Sequence, residues 1–320
     1  MKNLKKLTAL LTAIGMVAAL SACGSDAASS AAASAASTGS AAAPAATEAA
    51  QEAAPAEAGS AAEATDTGDQ TYLIGICQLV QHEALDAATQ GFKDALTEKL
   101  GDKVKFDEQN ASGDSANCST IVNGFLSENV DLILANATAP LQAAAAATSD
   151  IPVLGTSVTD YATALEISDW TGTVGTNVSG TSDLAPLDQQ AAMIKELFPA
   201  AKKVGLLYCS AEPNSVYQCD TIEGYLKDEG YEVERYAFTD TNDVTSVTQT
   251  ACDNSDVIYI PTDNTAASNT EAIANVVLPA GVPVVAGEEG ICKGCGVATL
   301  SISYYDLGYT TGEMAYKILV

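Results

Sequence analysis

The sequence has few histidine, tryptophan and basic residues. It contains one histidine (His82), one tryptophan (Trp170), and 14 lysine and arginine residues against 41 acidic ones, which gives a formal net charge of −27. Because a surface of this charge repels nucleic acid, we expect no DNA or RNA partner. One histidine leaves little room for a hydrolytic triad, and a zinc site would need a second ligand pair. We therefore expect no metal and no cofactor.

The common motifs of nucleotide and acyl-transfer enzymes are also missing. The chain has no G-x-x-x-x-G-K-[ST] and no G-x-S-x-G, and Gly75-Ile76-Cys77-Gln78 after the first predicted strand carries no G-x-G-x-x-G. Phosphate cradles and nucleophile elbows depend on those glycines. The sequence therefore favours a binding protein over an enzyme.

Residues 24–70 contain no aromatic residue and no aliphatic residue larger than alanine. A segment of this composition cannot bury enough apolar area to offset the entropy of ordering, so we predict a mobile, acidic tether. Before it, three lysines and the apolar run Leu7 to Leu20 are typical of a secretory signal peptide, residues 1–22. The folded part is then 71–320.

Leu20-Ser21-Ala22-Cys23 resembles a bacterial lipobox. The resemblance implies cleavage before Cys23 and lipid attachment to that residue, and several acyl chains anchor stably. We expect an exported protein held by lipid at the outer face of the cytoplasmic membrane, as on a Gram-positive-like cell surface. The alternative is an ordinary signal peptide with a coincidental cysteine.

Seven cysteines remain beyond Cys23, which is an odd number for disulfide pairing. Cys292-Lys293-Gly294-Cys295 has the spacing of a redox motif. It lies between two predicted strands and not at a helix N-terminus, where a thiolate would be stabilised. We predict a loop disulfide or free thiols there, and no catalytic or metal role.

Short apolar runs alternate with helical stretches from Thr71 onward, which predicts parallel α/β sheets covered on both faces. The predicted elements include helices at Glu83–Leu100, Thr265–Val277 and Tyr304–Leu319 and strands at Gly172–Thr176 and Gly296–Ser303. The halves echo each other: VDLILANATAPLQ from Val130 matches SDVIYIPTDNTAAS from Ser255. The pattern indicates two similar doubly wound lobes, although any two strand–helix units share some likeness.

The predicted lobes are residues 71–183 with 288–320, and residues 184–287. The hinge candidates are Ser179–Ala185 and Gly287–Gly296. Since doubly wound sheets bind ligands beyond the carboxyl ends of their strands, the ligand cleft is expected between the lobes.

Seven segments together resemble the substrate-binding lipoproteins of ATP-driven (ABC) importers whose characterised members take tryptophan or tyrosine. These segments are IGICQLVQHEALDAATQGFKDAL, VDLILANATAPLQ, IPVLGTSVTD, VGLLYCSAEPNSVYQ, IYIPTDNT, VPVVAGE and SISYYDLGYTTGEMAYKIL. The resemblance spans nearly all of 71–320 and implies the type I periplasmic-binding-protein fold. It also implies capture of a small ligand by lobe closure and delivery to a permease with a cytoplasmic ATPase.

The chain departs from that family in two places. The family usually has His-Pro where this chain has His82-Glu83, and members continue past the last helix, where this sequence stops at Val320. We therefore expect a truncated C-terminus. We also expect a monomer that binds an aromatic amino acid. A tethered sensor, or a binder of nucleosides or sugars, remains the alternative.

A free amino acid needs donors for its carboxylate, an anion for its ammonium and a shaped pocket for its side chain. Asp263 is the candidate ammonium partner, and it could equally cap the following helix, as could Asn264. Thr138, Ser157 and Thr159 are candidates for the carboxylate. The remaining candidates, each with a capping, packing or solvated alternative, are Gln78, His82, Glu83, Asp160, Asn214, Ser215, Glu288 and Tyr304.

Overall fold

The computed structural model describes residues 70–320, which form two successive five-stranded parallel sheets with helices on their faces. The predicted signal peptide, the lipidation site at Cys23 and residues 23–69 of the tether lie outside the described residues. No helix among residues 70–320 has the length and apolar character needed to cross a bilayer.

The first lobe contains five strands in the order β2-β1-β3-β4-β5. Its strands are β1 (Tyr72–Gln78), β2 (Val104–Asn110), β3 (Leu132–Asn136), β4 (Val153–Val158) and β5 (Val178–Ser182); its helices are α1 (Glu83–Leu100), α2 (Ser115–Glu128), α3 (Thr138–Ala147) and α4 (Tyr161–Ala164).

The second lobe repeats this topology in the order β7-β6-β8-β9-β10. Its helices and strands are α5 (Leu187–Leu197), β6 (Lys203–Cys209), α6 (Pro213–Asp228), β7 (Glu232–Phe238), α7 (Val244–Asn254), β8 (Val257–Ile260), α8 (Asn264–Ala267), α9 (Thr270–Ala280), β9 (Val284–Ala286), α10 (Glu289–Cys295) and β10 (Ala298–Thr299). The chain ends in α11 (Tyr304–Leu319), which packs on the first lobe.

The internal echo in the sequence has a counterpart in the two sheets. Asp131 accepts a hydrogen bond from the backbone N–H of Leu73 at 2.7 Å, and Asp256 accepts one from that of Lys203 at 2.9 Å. Each aspartate thus precedes the third strand of its sheet and holds the start of the first. This shared contact, together with the shared strand order, confirms the prediction of two similar doubly wound lobes.

Central strands bury side chains on both faces, as parallel sheets require. In β3, Leu132 and Leu134 pack with Phe92 under α1 and α11, whereas Ile133 packs with Phe125 on the opposite face. All five side chains are at most 1% exposed. The near-continuous apolar runs of the sequence therefore reflect two cores per lobe.

Two connections join the lobes. The first, residues 183–186, lies between β5 and α5, and the second, residues 300–303, lies between β10 and α11. The predicted return of the chain at 288 is wrong, because β10 pairs with β9 and Ile291 and Cys295 of α10 belong to the second-lobe core. That lobe therefore extends to Thr299.

Three predicted segments differ in the structure. Residues 172–176 form no strand, because Gly172 and Gly175 have φ of +92° and +76°, and the strand begins at Val178. The predicted helix 265–277 is broken near Asn269, whose side-chain amide donates to the Thr265 carbonyl at 2.7 Å. Of the predicted strand 296–303, Ala298–Thr299 alone pairs with the sheet.

The C-x-x-C segment lies within α10 and not in a loop, because the Glu288 carboxylate caps the helix by accepting from the backbone N–H groups of Gly290 and Ile291. Cys292 and Cys295 are both free thiols. The predicted loop disulfide is therefore wrong, and the free-thiol alternative describes this segment.

Candidate ligand site

A small cavity lies between the lobes, beyond the carboxyl ends of the strands. Its volume of about 10 Å³ is close to the space of one water molecule. The residues that line it are His82, Ala84, Leu85, Ser157, Thr159, Asp183, Asn214, Thr262, Asp263, Asn264, Ala267, Glu288 and Tyr304. Both lobes contribute, together with Asp183 of the first connection and Tyr304, the α11 residue that follows the second connection, so the lobes are closed around this point.

Asp183 lies in the first connection between the lobes and is 4% exposed. Its Oδ2 accepts a hydrogen bond from the Tyr304 hydroxyl at 2.8 Å, which links the two connections, while its Oδ1 is buried without a hydrogen-bond partner. Burial raises the pKa of Asp183, and hydrogen bonding from Tyr304, and then from Thr159, partly opposes this. This carboxylate has an unused acceptor at the cavity.

Asp263 is 1% exposed, and both of its oxygens are engaged. Oδ1 accepts from the backbone N–H of Ala266 at 2.7 Å, which caps α8, and Oδ2 accepts from that of Cys209 at 2.6 Å. Burial, and then the nearby Glu212 carboxylate, raise the pKa of Asp263. The geometry demonstrates the capping role, and a carboxylate with two such bonds still has lone pairs toward the cavity.

His82 joins the lobes through Asn264, whose Oδ1 lies 3.2 Å from His82 Nε2. The Asn264 amide nitrogen donates to Glu212 at 2.7 Å, so Asn264 Oδ1 is the acceptor that faces the ring. His82 Nε2 therefore carries the proton. Burial lowers the pKa of His82, so its Nδ1, which has no partner, is a buried acceptor at the cavity.

Ser157 lies in the irregular end of β4, and Thr159 directly follows that strand. The register of β4 shifts between Gly155 and Val158, and Ser157 adopts a left-handed φ of +55° that costs a β-region residue strain. The Ser157 hydroxyl is buried without a partner. The Thr159 hydroxyl accepts from Gln218 of the second lobe at 3.4 Å, which is a second hydrogen bond across the cleft.

Five predicted ligand residues do not line the cavity. The buried Gln78 forms hydrogen bonds with Asp86, Thr89 and the Val80 carbonyl, and the exposed Glu83 forms an ion pair with Lys293. Thr138 is buried in the first turn of α3, and Asp160 caps α4. The Ser215 hydroxyl accepts a hydrogen bond from Asn214. The structure thus brings together eight of the thirteen predicted residues: His82, Ser157, Thr159, Asn214, Asp263, Asn264, Glu288 and Tyr304.

Residue-by-residue reasoning missed two carboxylates that shape the site. Asp183 lies inside the predicted hinge segment Ser179–Ala185, and Glu212 lies in the loop between β6 and α6. Glu212 accepts from the backbone N–H groups of Asn264 and Thr265 at 3.1 and 2.8 Å, so it positions α8. An acidic residue in an otherwise uncharged crossing segment was the available signal for Asp183.

The cavity is lined by three carboxylates, Asp183, Asp263 and Glu288, and by no lysine or arginine. Burial raises the pKa of each of the three. Three of the lining residues each carry a buried polar atom without a hydrogen-bond partner: Asp183 Oδ1, His82 Nδ1 and the Ser157 hydroxyl. Such a site suits a small ligand that carries a cationic hydrogen-bond donor.

Two topologically alike parallel-sheet lobes closed on a polar cavity define a two-lobed solute-binding protein. The model of the family described as ABC transporter substrate binding protein matches residues 73–320, and this chain belongs to that family.

The chain is 39% identical over 249 residues to the tyrosine-binding protein of Clostridioides difficile (strain R20291), covering 77% of this chain and 72% of that protein. It is 32% identical, with a TM-score of 0.75, to an ABC domain in complex with L-Trp from Streptococcus pneumonia. It is 38% identical, with a TM-score of 0.57, to the ligand-free, open structure of an adhesive substrate-binding protein from Clostridium difficile. Both structural alignments cover 78% of this chain and 85% of the other. These likenesses confirm the predicted family and the type I fold.

Proposed function

We propose that this substrate-binding protein captures a free aromatic amino acid, tyrosine or tryptophan. The observation that carries the proposal is the cavity of three buried carboxylates, without a lysine or arginine in its lining, together with three unpartnered polar atoms of its lining residues. An α-ammonium group supplies the charge and the donors that this lining needs. Tyrosine and L-Trp, the ligands of the similar proteins, support the aromatic class.

In this proposal, Asp183 Oδ1 and His82 Nδ1 accept from the ammonium, and the positive charge of the ammonium favours the ionised forms of the nearby Asp263 and Glu288. The Ser157 hydroxyl, with Thr159 and Asn214, holds the ligand carboxylate. Gln78, Glu83, Thr138, Asp160 and Ser215 support the cleft from outside the cavity and make no direct ligand contact.

The ligand enters by separation of the lobes, because a cavity of about 10 Å³ cannot admit an amino acid. The TM-scores support a closed arrangement in this structure. The open, ligand-free relative gives 0.57 at 38% identity, whereas the L-Trp complex gives 0.75 at 32% identity. The open relative is more similar in sequence but less similar in structure, as expected if its lobes are farther apart than those of this chain.

We also propose a cellular location and a transport partner for this protein. A lipid on Cys23 anchors the chain outside the cytoplasmic membrane after removal of residues 1–22, and residues 23–70 tether the receptor. The closed monomer hands its ligand to an ABC permease driven by an ATPase, and it performs no catalysis itself.

Thermal unfolding of the full chain against the twenty amino acids, nucleosides and common sugars tests the ligand class. A ligand at a hundred times its dissociation constant adds about 2.7 kcal/mol to the free energy of unfolding. We expect shifts with tyrosine or tryptophan. A shift with a sugar or nucleoside and with no amino acid would sink the proposal.

Fractionation of cells that carry the Cys23→Ala variant tests the anchor. We expect the wild-type chain in the membrane fraction and the variant in the medium or the soluble fraction, because the variant lacks the lipidated residue. Membrane retention of the variant contradicts the anchor. Light scattering of the purified chain with and without ligand tests the monomer.

A further inference from the structure

A second, larger cavity lies between the lobes beside the first. Its volume is about 240 Å³, and Asn264 lines both cavities. A protein cavity of about 150 Å³ is enough to bind benzene, so the second cavity has room for a substituted aromatic ring, and the first has not. The wall between them is α8 together with the His82–Asn264 hydrogen bond.

The second cavity changes character along its length. Its buried lining includes the apolar Leu79 at 7% and Cys209 at 2% exposure, with the half-buried Ala139. The buried Glu212 also lines it, but its carboxylate oxygens accept from Asn264 and Thr265 of α8. Its outer end carries the exposed hydroxyl residues Ser112 and Thr241 at the mouth of the cleft. An amino-acid side chain with an apolar ring and a solvent-exposed end matches this change from buried to exposed lining.

We propose that the side chain of the bound amino acid passes Asn264 and lies in this second cavity with its tip at the cleft mouth. The protein then accepts aromatic amino acids that are extended at the ring position farthest from the backbone. This inference rests on the proposed function, since it needs an amino-acid head group in the first cavity. Entry requires the His82–Asn264 hydrogen bond to part and the lobes to separate.

Calorimetric titration of the full chain with ring-extended ligands tests the direction of the side chain. The pairs are L-tyrosine with O-methyl-L-tyrosine and L-tryptophan with 5-methoxy-L-tryptophan. For each parent that binds, we expect the extended partner to bind within about fivefold, because the tip faces solvent and loses little on substitution. A loss of about a hundredfold or more places the tip in a closed pocket and overturns the inference.

Filling the second cavity from each lobe tests its occupancy. Ala139→Leu in α3 and Ala211→Leu in the loop after β6 each add a side chain to its lining. We expect each to weaken binding of the aromatic parent at least about tenfold, by occluding the ring. Ala146→Leu is the matched control, since it lies in the same helix α3 but lines a separate groove on the first lobe.

The control is expected to keep the wild-type affinity, and circular dichroism and the melting temperature check that all three variants fold. Unchanged affinity in both folded filling variants overturns the inference while leaving the proposed function intact. If the wild-type chain binds no amino acid at all, the proposed function fails instead, so the two failures are distinct.

Discussion

The two buried aspartates at the cavity, Asp183 and Asp263, differ in their hydrogen bonds. Asp263 satisfies two buried backbone N–H groups, whereas Asp183 accepts one hydroxyl and keeps one oxygen unpartnered. A carboxylate that accepts from buried backbone groups stabilises the lobe, and one with an unused buried oxygen is costly until a ligand donor reaches it. The division predicts opposite behaviour for their variants.

Asp183→Asn should weaken ligand binding by about 10- to 100-fold, because it removes a charge-assisted hydrogen bond to the ammonium. The amide oxygen can still accept from Tyr304, and no buried charge remains, so we expect an unchanged or higher melting temperature at pH 8.

Asp263→Ala should lower the free energy of unfolding by roughly 2–4 kcal/mol, because two buried N–H groups lose their acceptor. Calorimetry and chemical denaturation measure both. A destabilised Asp183→Asn with wild-type affinity contradicts this assignment.

The stability of the ligand-free protein should depend on pH through Asp183. Its folded-state pKa is raised above its unfolded value, so the folded state binds the extra proton and stability is lost as pH rises through the raised pKa. The lowered pKa of His82 acts at the acid end, where stability is lost as pH falls below about 6.5. We therefore compare melting temperatures of wild type and Asp183→Asn from about pH 4, near the ordinary pKa of aspartate, to pH 8.5; both proteins keep His82, so their difference isolates Asp183.

The wild-type chain should lose more stability than Asp183→Asn over that range, and saturating ligand should reduce the difference, since its ammonium favours the ionised carboxylate. Parallel curves for the two ligand-free proteins would show that Asp183 does not titrate there.

Helices α1 and α11 lie unusually close, and glycine makes this approach possible. A Cβ atom on Gly308 would lie 1.9 Å from the carbonyl oxygen of Ala88, and one on Gly91 would lie 2.1 Å from that of Tyr305. Neither neighbour can yield without moving helix backbone. The α1–α11 pair carries Tyr304 and His82 at its cleft end, so its spacing also positions the site.

Gly308→Ala should lower the free energy of unfolding by roughly 2–4 kcal/mol, since overpacking forces the two backbones apart. Gly124→Ala in α2 is the matched control, because nothing lies within 4 Å of its added methyl group. The control should be neutral or stabilising by up to about 1 kcal/mol, as alanine is the better helix former. Urea denaturation compares them, and equal effects would contradict the close approach.

Closure of the two lobes rests on few polar links. These are the His82–Asn264 and Gln218–Thr159 hydrogen bonds at the site and the exposed Lys293–Glu83 ion pair at the rim. Exposed ion pairs contribute little and are screened by salt. The rim pair can therefore bias closure without preventing opening, which a protein that releases its ligand requires.

Lys293→Ala should raise the ligand dissociation rate by about two- to fivefold at low salt, and this effect should vanish in 1 M salt. Lys93→Ala is the control, because the Lys93–Glu108 pair lies wholly within the first lobe. Stopped-flow fluorescence gives the rates. An equal effect of both substitutions, or one that survives high salt, would argue against a rim link between the lobes.

The sequence by itself determined the architecture. Apolar runs with alternating helices sufficed for two parallel lobes, and the bounds of α1 and α11 agree with their predicted ranges, 83–100 and 304–319. The prediction was wrong at α10, where a loop was expected, because it did not use the capping carboxylate of the preceding residue, Glu288.

Only the tertiary structure decided which carboxylate presents a free oxygen to the cavity. Asp183 and Tyr304 are 121 positions apart, and their hydrogen bond exists because both connections between the lobes pass the same point. Whether a buried oxygen has a hydrogen-bond partner depends on all the groups around it in the fold, and a local sequence pattern does not contain that information. For that reason the sequence pointed to Asp263, whose oxygens cap backbone groups, and the fold pointed to Asp183.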